Sequence, residues 1–334
     1  MTISPSLPHA HGGQLQVAAQ QYTIPLKNWI DLSTGISPFV YPLPNVPEYC
    51  WQRLPEVNDG LITTASHYYG SPSLLAVAGS QQAIQSLPSF FAQSLRVGIL
   101  KPAYHSHQHA WQKAGHQVIS LSPSSIEENL PTLDVLIIVN PCNPSTEKFS
   151  PKILRQWHQQ LQQHKGTLIV DEAFIDSTPE MSLIQPMPVE GLIVLRSIGK
   201  FFGLAGVRLG FIWGEKKLLD QIEKSQDDWS VSHPARWAGK IALADTQWQY
   251  DQQKQLQSHA LRLKKILEKY LSVEVKSTTL FCYLQHNHAE LIHQQLAQQG
   301  ILTRLFNKPA ALRFGLPTPQ QWQRLETALT VYPT

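Results

Sequence analysis

Short, nearly continuous apolar runs recur through the middle of the chain, and each is followed by a turn signal and a polar stretch. The runs cover residues 95–100, 116–121, 134–139, 166–171, 191–196 and 207–213. Short apolar runs with almost no alternation are typical of strands that are buried on both faces. Strands that alternate with polar helical stretches indicate a parallel sheet. The pattern therefore predicts an α/β fold, with a mostly parallel sheet flanked by helices in a large domain.

Two long polar stretches, 216–228 and 237–270, are weakly amphipathic and are predicted to be helices. The second stretch carries a glutamine-rich tract. We interpret these glutamines as a solvated helix face, the tract being Gln252, Gln253, Gln255 and Gln257.

The two ends of the chain differ from the middle. The first 45 residues are rich in Pro, Gly and Ser, which indicates an irregular arm. Beyond the long helix, the order strand, helix, strand, strand, helix predicts a smaller α+β domain, with the last helix near 319–331. We therefore expect an arm that contributes to the small domain (1–45), a large domain (46–215), and connecting helices with the rest of the small domain (216–334).

Composition and charge narrow the class of protein. The 334 residues carry a net charge of +3, from 27 basic and 24 acidic side chains, and show no Lys/Arg run, which argues against nucleic-acid binding. Charged residues make up 15%, against about 25% in average domains. The three cysteines are far apart and provide neither a disulfide framework nor a metal-binding pair. With no secretory pattern and no apolar run near the ~20 residues of a spanning helix, we expect a soluble cytoplasmic protein that binds no membrane.

The sharpest chemical signal is the segment SIGKFFGLAGVRLGF, residues 197–211. Lys200 follows an apolar strand and lies between a glycine and two phenylalanines, where water solvates it poorly. Poor solvation lowers the pKa of a lysine towards that of a nucleophilic amine, and pyridoxal phosphate is the usual partner of such a lysine. Ser197 and Arg208 could together hold a phosphate. Alone, the segment is equally compatible with a surface lysine beside a flexible turn.

Two polar residues lie at the end of one predicted strand and in the turn after another. Asp171 ends TLIVD at the carboxyl edge of the sheet, where α/β proteins bind ligands, and its carboxylate could hold a pyridine nitrogen protonated. A helix N-cap is the alternative for this aspartate. Asn143 is presented by the rigid turn in VNPCNPST, although an ordinary Asn-Pro turn explains the same residues.

Further candidates follow other apolar segments. The backbone N–H groups of Gly79, Ser80 and Gln81 open a helix and could hold a phosphate. Tyr104, in KPAY, could stack on an aromatic ring or belong to the core. The tract HSHQH (105–109) suggests metal binding, but we interpret it as the start of a helix with one histidine near the ligand. Cys142 is interpreted as a small filler, not as a nucleophile.

The chain carries a series of motifs in a fixed order, with an arginine eight residues after the lysine: AGSQQ, PAY, NPCNP, DEAF and SxxK. In this order the motifs resemble those of the fold-type I pyridoxal-phosphate enzymes, the aspartate aminotransferase superfamily. The resemblance covers nearly the whole chain. It implies pyridoxal 5'-phosphate as cofactor, a cofactor-binding large domain with a smaller α+β domain, and a homodimer with a shared active site.

The resemblance also assigns roles to residues. Lys200 corresponds to the lysine that binds the cofactor covalently, Asp171 to the partner of the pyridine nitrogen, and Tyr104 to the aromatic residue that stacks on the ring. Asn143 corresponds to the donor to the phenolate oxygen. The expected phosphate-binding residues are Gly79, Ser80, Gln81, Ser197 and Arg208. Phe174 departs from the pattern of the superfamily, because many members carry a tyrosine at this position. The absence of the tyrosine hydroxyl disfavours efficient amino transfer.

Within the superfamily, the chain resembles the family of threonine-phosphate decarboxylases of cobalamin biosynthesis, which is similar to the histidinol-phosphate aminotransferases. The motifs that carry this resemblance are HGG (11–13), DLSTGISP (31–38), YYG (68–70) and DEAFID (171–176). Ser37 replaces the asparagine common in that family. The resemblance implies decarboxylation of L-threonine O-3-phosphate to (R)-1-amino-2-propanol phosphate. The expected substrate-binding residues are His11, Gly35, Tyr69, Asn143, Arg304 and Arg313.

Some of these assignments leave alternatives. Tyr69 is expected to act across a dimer interface, and Arg313 could bind either the carboxylate or the phosphate of the substrate. A histidinol-phosphate or related aminotransferase is the alternative enzyme. A catalytically idle, ligand-sensing regulator is disfavoured, because the chain has no spare segment of about 60 residues for a DNA-binding domain.

Overall fold

The computed structural model describes residues 11–92 and 94–331. The chain forms two compact units, a larger one from Phe39 to Lys254 and a smaller one that combines the residues before Phe39 with those from Gln255 onward. Among the described helices, none is long and apolar enough to cross a membrane.

The helices are α1 (Leu15–Tyr22), α2 (Tyr49–Gln52), α3 (Leu61–Tyr69), α4 (Ser80–Ser86), α5 (His105–Lys113), α6 (Ile126–Asn129), α7 (Pro151–Gln162), α8 (Lys216–Ser225), α9 (His233–Ala244), α10 (Thr246–Leu271), α11 (Ala289–Gln298) and α12 (Trp322–Leu329). The strands are β1 (Ile30–Asp31), β2 (Leu74–Val77), β3 (Arg96–Leu100), β4 (Gln117–Leu121), β5 (Val135–Val139), β6 (Thr167–Asp171), β7 (Leu192–Ser197), β8 (Gly210–Trp213), β9 (Lys276–Ser277), β10 (Phe281–Gln285), β11 (Ile301–Leu302), β12 (Arg304–Asn307) and β13 (Ala310–Gly315).

The larger unit is built on a sheet whose strand order is β2-β8-β7-β6-β5-β3-β4. Neighbours from β7 to β4 pair in parallel. Side chains on one face, among them Val135, Ile137 and Ile169, form a core with residues of α4, α5 and α8. The intervening Leu136 and Leu168 are also fully buried. Burial on both faces explains the lack of alternation in the sequence and confirms the predicted α/β class.

Strand β8 is antiparallel to both of its neighbours, β2 and β7. The sheet is therefore mostly parallel, as predicted, and β8 is its antiparallel strand. Only residues 198–209 join β7 to β8 and they contain no α-helix, so the chain cannot make the helical crossover that a parallel neighbour requires. Because β8 reverses direction, β2 runs the same way as β7.

The stretch 237–270 was predicted as one helix, and the structure divides it at Asp245. The Asp245 backbone leaves the helical region, and its side chain accepts a hydrogen bond from the backbone N–H of Trp248 (3.0 Å). That contact is typical of a residue that starts a new helix. The helix predicted at 216–228 ends at Ser225.

The smaller unit contains two sheets. Strands β1 and β11 pair in parallel, which joins a two-residue strand that precedes the larger unit in the chain to a two-residue strand that follows it. The second sheet has the order β12-β13-β10-β9 and is antiparallel. Helix α11 connects β10 to β11, which agrees with the predicted order of elements in this region.

Candidate active site

The register of the larger sheet brings the polar candidates to one edge. Asp171 at the end of β6 is level with Val139 of β5 and Leu195 of β7. At the end of β7, Ser197 pairs with Gly210 of β8, and Gly210 in turn pairs with Val77 of β2. The segments that follow β2, β5, β6 and β7 therefore leave the sheet at the same edge, as expected for ligand-binding α/β proteins.

A buried histidine holds Asp171. His107 Nε2 donates to Asp171 Oδ2 over 2.9 Å, and the side chains are 2% and 3% exposed. The other carboxylate oxygen accepts from the backbone N–H of Ala173 (3.1 Å). A carboxylate oxygen can accept more than one hydrogen bond, so Asp171 keeps the capacity to bind a ligand N–H.

Lys200 lies in the turn that follows β7, next to the aromatic ring of Phe174. The distance from Lys200 Nζ to the centroid of that ring is 5.6 Å, and Phe174 is 5% exposed. Phe174 is three residues after Asp171, so this contact places the turn that carries Lys200 next to the segment that leaves β6. The structure thus brings Lys200 close to the loop that begins at Asp171.

Gly79 and Arg208 form a close backbone-to-side-chain contact. A Cβ atom on Gly79 would lie 2.6 Å from Arg208 Nη2, and Gly79 has a φ of +75°. Only glycine combines that conformation with so close an approach. Ser80 follows Gly79 and starts α4. A Cβ atom on Gly210 would lie 2.6 Å from the backbone nitrogen of Ser80. Gly79, Ser80 and Arg208 are therefore brought together, with Ser197 one strand away.

Tyr104 and Asn143 lie on adjacent loops. The Tyr104 hydroxyl donates to Gln81 Oε1 (2.9 Å), which links the loop after β3 to the first turn of α4. The loop that carries Asn143 is closed by Asn140. The side-chain amide of Asn140 accepts a hydrogen bond from the backbone N–H of Phe149 (2.9 Å) and donates one to the carbonyl of the same residue (3.1 Å). The Cys142 thiol donates to a carbonyl of the loop before Tyr104 (3.4 Å) and is fully buried, as expected for a filler.

A buried charge network lies behind this edge. Arg196 donates to Glu172 Oε2 (3.1 Å) and Asp176 Oδ1 (2.6 Å). Burial raises the pKa of Glu172, and the nearby guanidinium opposes that shift. Because Arg196 precedes Ser197 and Glu172 follows Asp171, the network fixes the ends of the two central strands relative to each other.

Tyr69 belongs to the same network. Its ring lies 4.5 Å from Arg196 Cζ, and its side chain is 9% exposed with the hydroxyl buried. Burial raises the pKa of this phenol above its ordinary value. Tyr68, in contrast, donates to Asp176 Oδ1 (3.0 Å). The predicted contact of Tyr69 with substrate across a dimer interface stays a prediction, and this buried position does not support it.

In the smaller unit, the two predicted substrate arginines are directly opposite each other. Arg304 of β12 pairs with Arg313 of β13 in the antiparallel register, which places their Cα atoms roughly 5 Å apart and their side chains on one face. Like charges in such positions repel each other, so a bound anion would stabilise the pair. Burial lowers the pKa of Arg304, and Arg313 is 6% exposed.

The two N-terminal motifs contact each other in the smaller unit. Gly13 donates its backbone N–H to Ser33 Oγ (2.7 Å), and a Cβ on Gly12 would overlap the Ser33 carbonyl oxygen. That same carbonyl accepts a hydrogen bond from Arg313 Nη2. The neighbours of this contact include His11, which is exposed, and Gly35, which is buried.

The residues of the larger unit fit pyridoxal phosphate, which carries a phosphate, an aldehyde and a pyridine nitrogen. The glycine-lined contact beside Arg208 suits a phosphate, Lys200 supplies a primary amine, and Asp171 supplies a buried carboxylate. A metal is not suggested: across the described ranges, no group of three His, Cys, Asp or Glu side chains is placed to bind one.

Sequence reasoning missed two kinds of residue. It expected one histidine of HSHQH near the ligand but did not identify His107, which lies in the first turn of α5. It also interpreted Gln252 as solvated. Gln252 is 2% exposed, so that interpretation is wrong, and nothing in a polar helix pattern could have identified its partners.

Comparisons with known proteins agree with this geometry. The chain is 47% identical to the threonine-phosphate decarboxylase of Pseudomonas aeruginosa, over 96% of both chains, and 35% identical to that of a Sinorhizobium species, over 97% of this chain and 98% of the relative. A crystal structure of histidinol-phosphate aminotransferase from Sinorhizobium meliloti in complex with pyridoxal-5'-phosphate has the same fold, with a TM-score of 0.84 at 18% identity, covering 99% of this chain and 97% of that one. The model of the family "Aminotransferase class I and II" matches residues 54–329, and the chain belongs to that family.

Proposed function

We propose that this protein is a pyridoxal-phosphate-dependent lyase that decarboxylates L-threonine O-3-phosphate to (R)-1-amino-2-propanol phosphate, a step of cobalamin biosynthesis. The observation that carries the proposal is the 47% identity to a threonine-phosphate decarboxylase over 96% of the chain. The opposed pair of Arg304 and Arg313 supports it, because a phosphorylated amino acid offers two anionic groups.

The residues of the larger unit bind and orient the cofactor. Pyridoxal phosphate, when bound, supplies the electron sink that makes loss of carbon dioxide feasible. Lys200 would bind it covalently, and Asp171, held by His107, would keep a proton on the pyridine nitrogen. Tyr104 would stack on the ring and Asn143 would donate to the phenolate oxygen. The phosphate is bound by Gly79, Ser80, Gln81, Ser197 and Arg208.

The arginine pair binds the anionic groups of the substrate, with Arg313 on either the carboxylate or the phosphate. Binding energy at a phosphate far from the reacting bond can rotate the Cα–carboxylate bond into the orientation in which it breaks. His11, Gly35, Asn143 and Tyr69 complete the predicted substrate-binding set. A homodimer with a shared active site and a cytoplasmic location remain predictions.

The test is release of carbon dioxide from L-threonine O-3-phosphate by purified protein with pyridoxal phosphate and no 2-oxo acid. We expect turnover and stoichiometric aminopropanol phosphate, both abolished in Lys200→Ala. Amino transfer from histidinol phosphate to 2-oxoglutarate, without carbon dioxide release, would show that the family is right and the proposed reaction wrong.

A further inference from the structure

Helix α10 directs a buried glutamine at the turn that carries Lys200. Gln252 Nε2 donates to the backbone carbonyl of Phe201 (2.8 Å) and to that of Phe39 (3.3 Å). Both partners are acceptors, so only the amino group of the side-chain amide can face them. The orientation of Gln252 is therefore fixed by its surroundings, and its contact falls on the residue directly after Lys200.

An aromatic contact from the same helix face supports this turn. Trp248, four residues before Gln252, stacks on the ring of Phe202 with a centroid distance of 5.5 Å and an interplanar angle of 12°. It also meets Phe201 edge to face at 5.8 Å. Residues four apart share a helix face, so one turn of α10 holds the side chains and the backbone of this segment.

Each successive carbonyl of the turn has a hydrogen-bond donor. The Lys200 carbonyl accepts from Gly203 N–H (3.3 Å), and the Phe202 carbonyl accepts from Tyr41 N–H (2.9 Å). The carbonyl between them is the one that Gln252 binds. Two of these donors are backbone groups that depend on no side chain, whereas the middle one can be removed by substitution.

The next residue of the helix binds the loop that follows Asp171. Gln253 Nε2 donates to the backbone carbonyl of Asp176 (3.1 Å). Adjacent glutamines at the start of α10 thus contact the two segments that carry Lys200 and Asp171. Their contacts are with backbone, so they act on the course of the loops and not on the chemistry of the side chains.

We propose that Gln252 is a positioning residue for Lys200. By binding the carbonyl of Phe201 it fixes the Phe201–Phe202 peptide, one residue beyond Lys200, and so the course of the turn that presents the amine to the cofactor. Removing the amide leaves the buried carbonyl of Phe201 and the half-buried carbonyl of Phe39 without this donor, and the turn relaxes to regain hydrogen bonds. This inference rests on the proposed role of Lys200 in binding pyridoxal phosphate.

Gln249 provides a matched control in the same helix. It is 7% exposed, and its Nε2 donates to the backbone carbonyls of Ala242 (3.0 Å) and Leu243 (3.1 Å). Like Gln252, it is a buried glutamine whose Nε2 donates to two backbone carbonyls. The difference is that its acceptors end α9 and belong to no loop of the candidate site.

The experiment compares Gln252→Met with Gln249→Met. We expect a similar loss of thermal stability in both apo proteins. Only Gln252→Met should shift the apparent pKa of the lysine–cofactor bond, followed by absorbance against pH, by about half a unit or more. Only that variant should slow the covalent capture of added pyridoxal phosphate about tenfold and lower kcat about as much, with little change in KM.

Equal spectroscopic shifts in the two variants, or none in Gln252→Met, would overturn the inference. If either Met variant does not fold, Gln252→Asn and Gln249→Asn replace the pair, since the shorter amide cannot reach both carbonyls. Borohydride reduction of the wild-type holoenzyme followed by peptide mapping tests the underlying assumption separately. A reduced cofactor on a lysine other than Lys200 would contradict the proposed site itself.

Discussion

His107 Nε2 and Asp171 Oδ2 lie 2.9 Å apart, and both side chains are almost completely buried. The histidine belongs to α5 and the aspartate ends β6, so the hydrogen bond joins two elements at the edge of the sheet where the candidate residues converge. It fixes the carboxylate plane and keeps one oxygen engaged, which prepares the carboxylate for a ligand N–H.

Substitution His107→Ala should therefore weaken catalysis without removing the carboxylate. We expect kcat to fall about tenfold to a hundredfold because Asp171 loses its orientation. Steady-state kinetics and the absorbance spectrum of the bound cofactor measure the effect. His109→Ala is the control, because His109 is exposed on the same helix. Equal losses in both variants would show that the contact with Asp171 is not the cause.

Substitution Gly79→Ala should lower the affinity for pyridoxal phosphate by about tenfold or more. The added methyl group would strain a backbone with a φ of +75° and would push Arg208 away from its position. Equilibrium titration of apo protein with the cofactor measures the change. Gly206→Ala, where a Cβ meets nothing within 4 Å, should bind normally. Unchanged binding by Gly79→Ala would contradict a phosphate site at this contact.

The ion pair of Asp59 and Arg236 should make stability depend on pH. Burial alone would raise the pKa of Asp59, but the hydrogen bonds from Arg236 (2.7 and 2.9 Å) outweigh it, and the pKa lies below its ordinary value of 3.8. A depressed carboxyl pKa stabilises the folded state above pH 3.8, and this contribution is lost as the pH falls through the lowered value.

Asp59→Asn should then cost about 2 kcal/mol at pH 7, measured as the free energy of unfolding in urea. The difference from wild type should shrink as the pH falls below about 4, because the wild-type carboxylate becomes protonated. Asp220→Asn is the control, since Asp220 binds the exposed Lys216 and such surface pairs contribute about 0.5 kcal/mol or less. A pH-independent difference at Asp59 would contradict the assignment.

Cys142 should be unreactive in the folded protein. Burial raises the pKa of its thiol to about 12, so roughly one molecule in ten thousand carries a thiolate at pH 8. We expect iodoacetamide to leave Cys142 unmodified in the native protein and to modify it after unfolding, as followed by peptide mass spectrometry. Rapid native labelling would mean that the loop opens and that Cys142 is more than a filler.

The sequence predicted the α/β class and the central strands because burial on both faces leaves a direct trace in apolar runs. The direction of β8 left no such trace, since an apolar run records burial and not polarity of the chain. Strand β2 was also missed, because four residues are too few to separate from a helix start. The environment of Gln252 depends on carbonyls of Phe39 and Phe201, which are distant along the chain and become partners only through the fold.

Among the site residues, Asp171 and Lys200 could be proposed because they lie at or just after strand ends, and Arg208 from its spacing of eight residues after the lysine. The partner of Asp171 could not, since His107 lies within a tract of histidines whose members differ only in the face of α5 that they occupy. Side-chain partners between strand and helix are decided by packing, and periodicity alone does not rank them.

The hydrogen bond from Gln252 to the Phe39 carbonyl has a consequence for the architecture of the gene product. Phe39 is the first residue of the larger unit, and Gln252 lies two residues before its last, so both ends of this continuous segment meet at one point. A segment with adjacent ends can be inserted into a host chain, or excised from it, without stretching the connections. In chain order the larger unit is thus placed like an inserted domain, but α10 (Thr246–Leu271) continues past Lys254, so an engineered fragment would have to keep that helix whole.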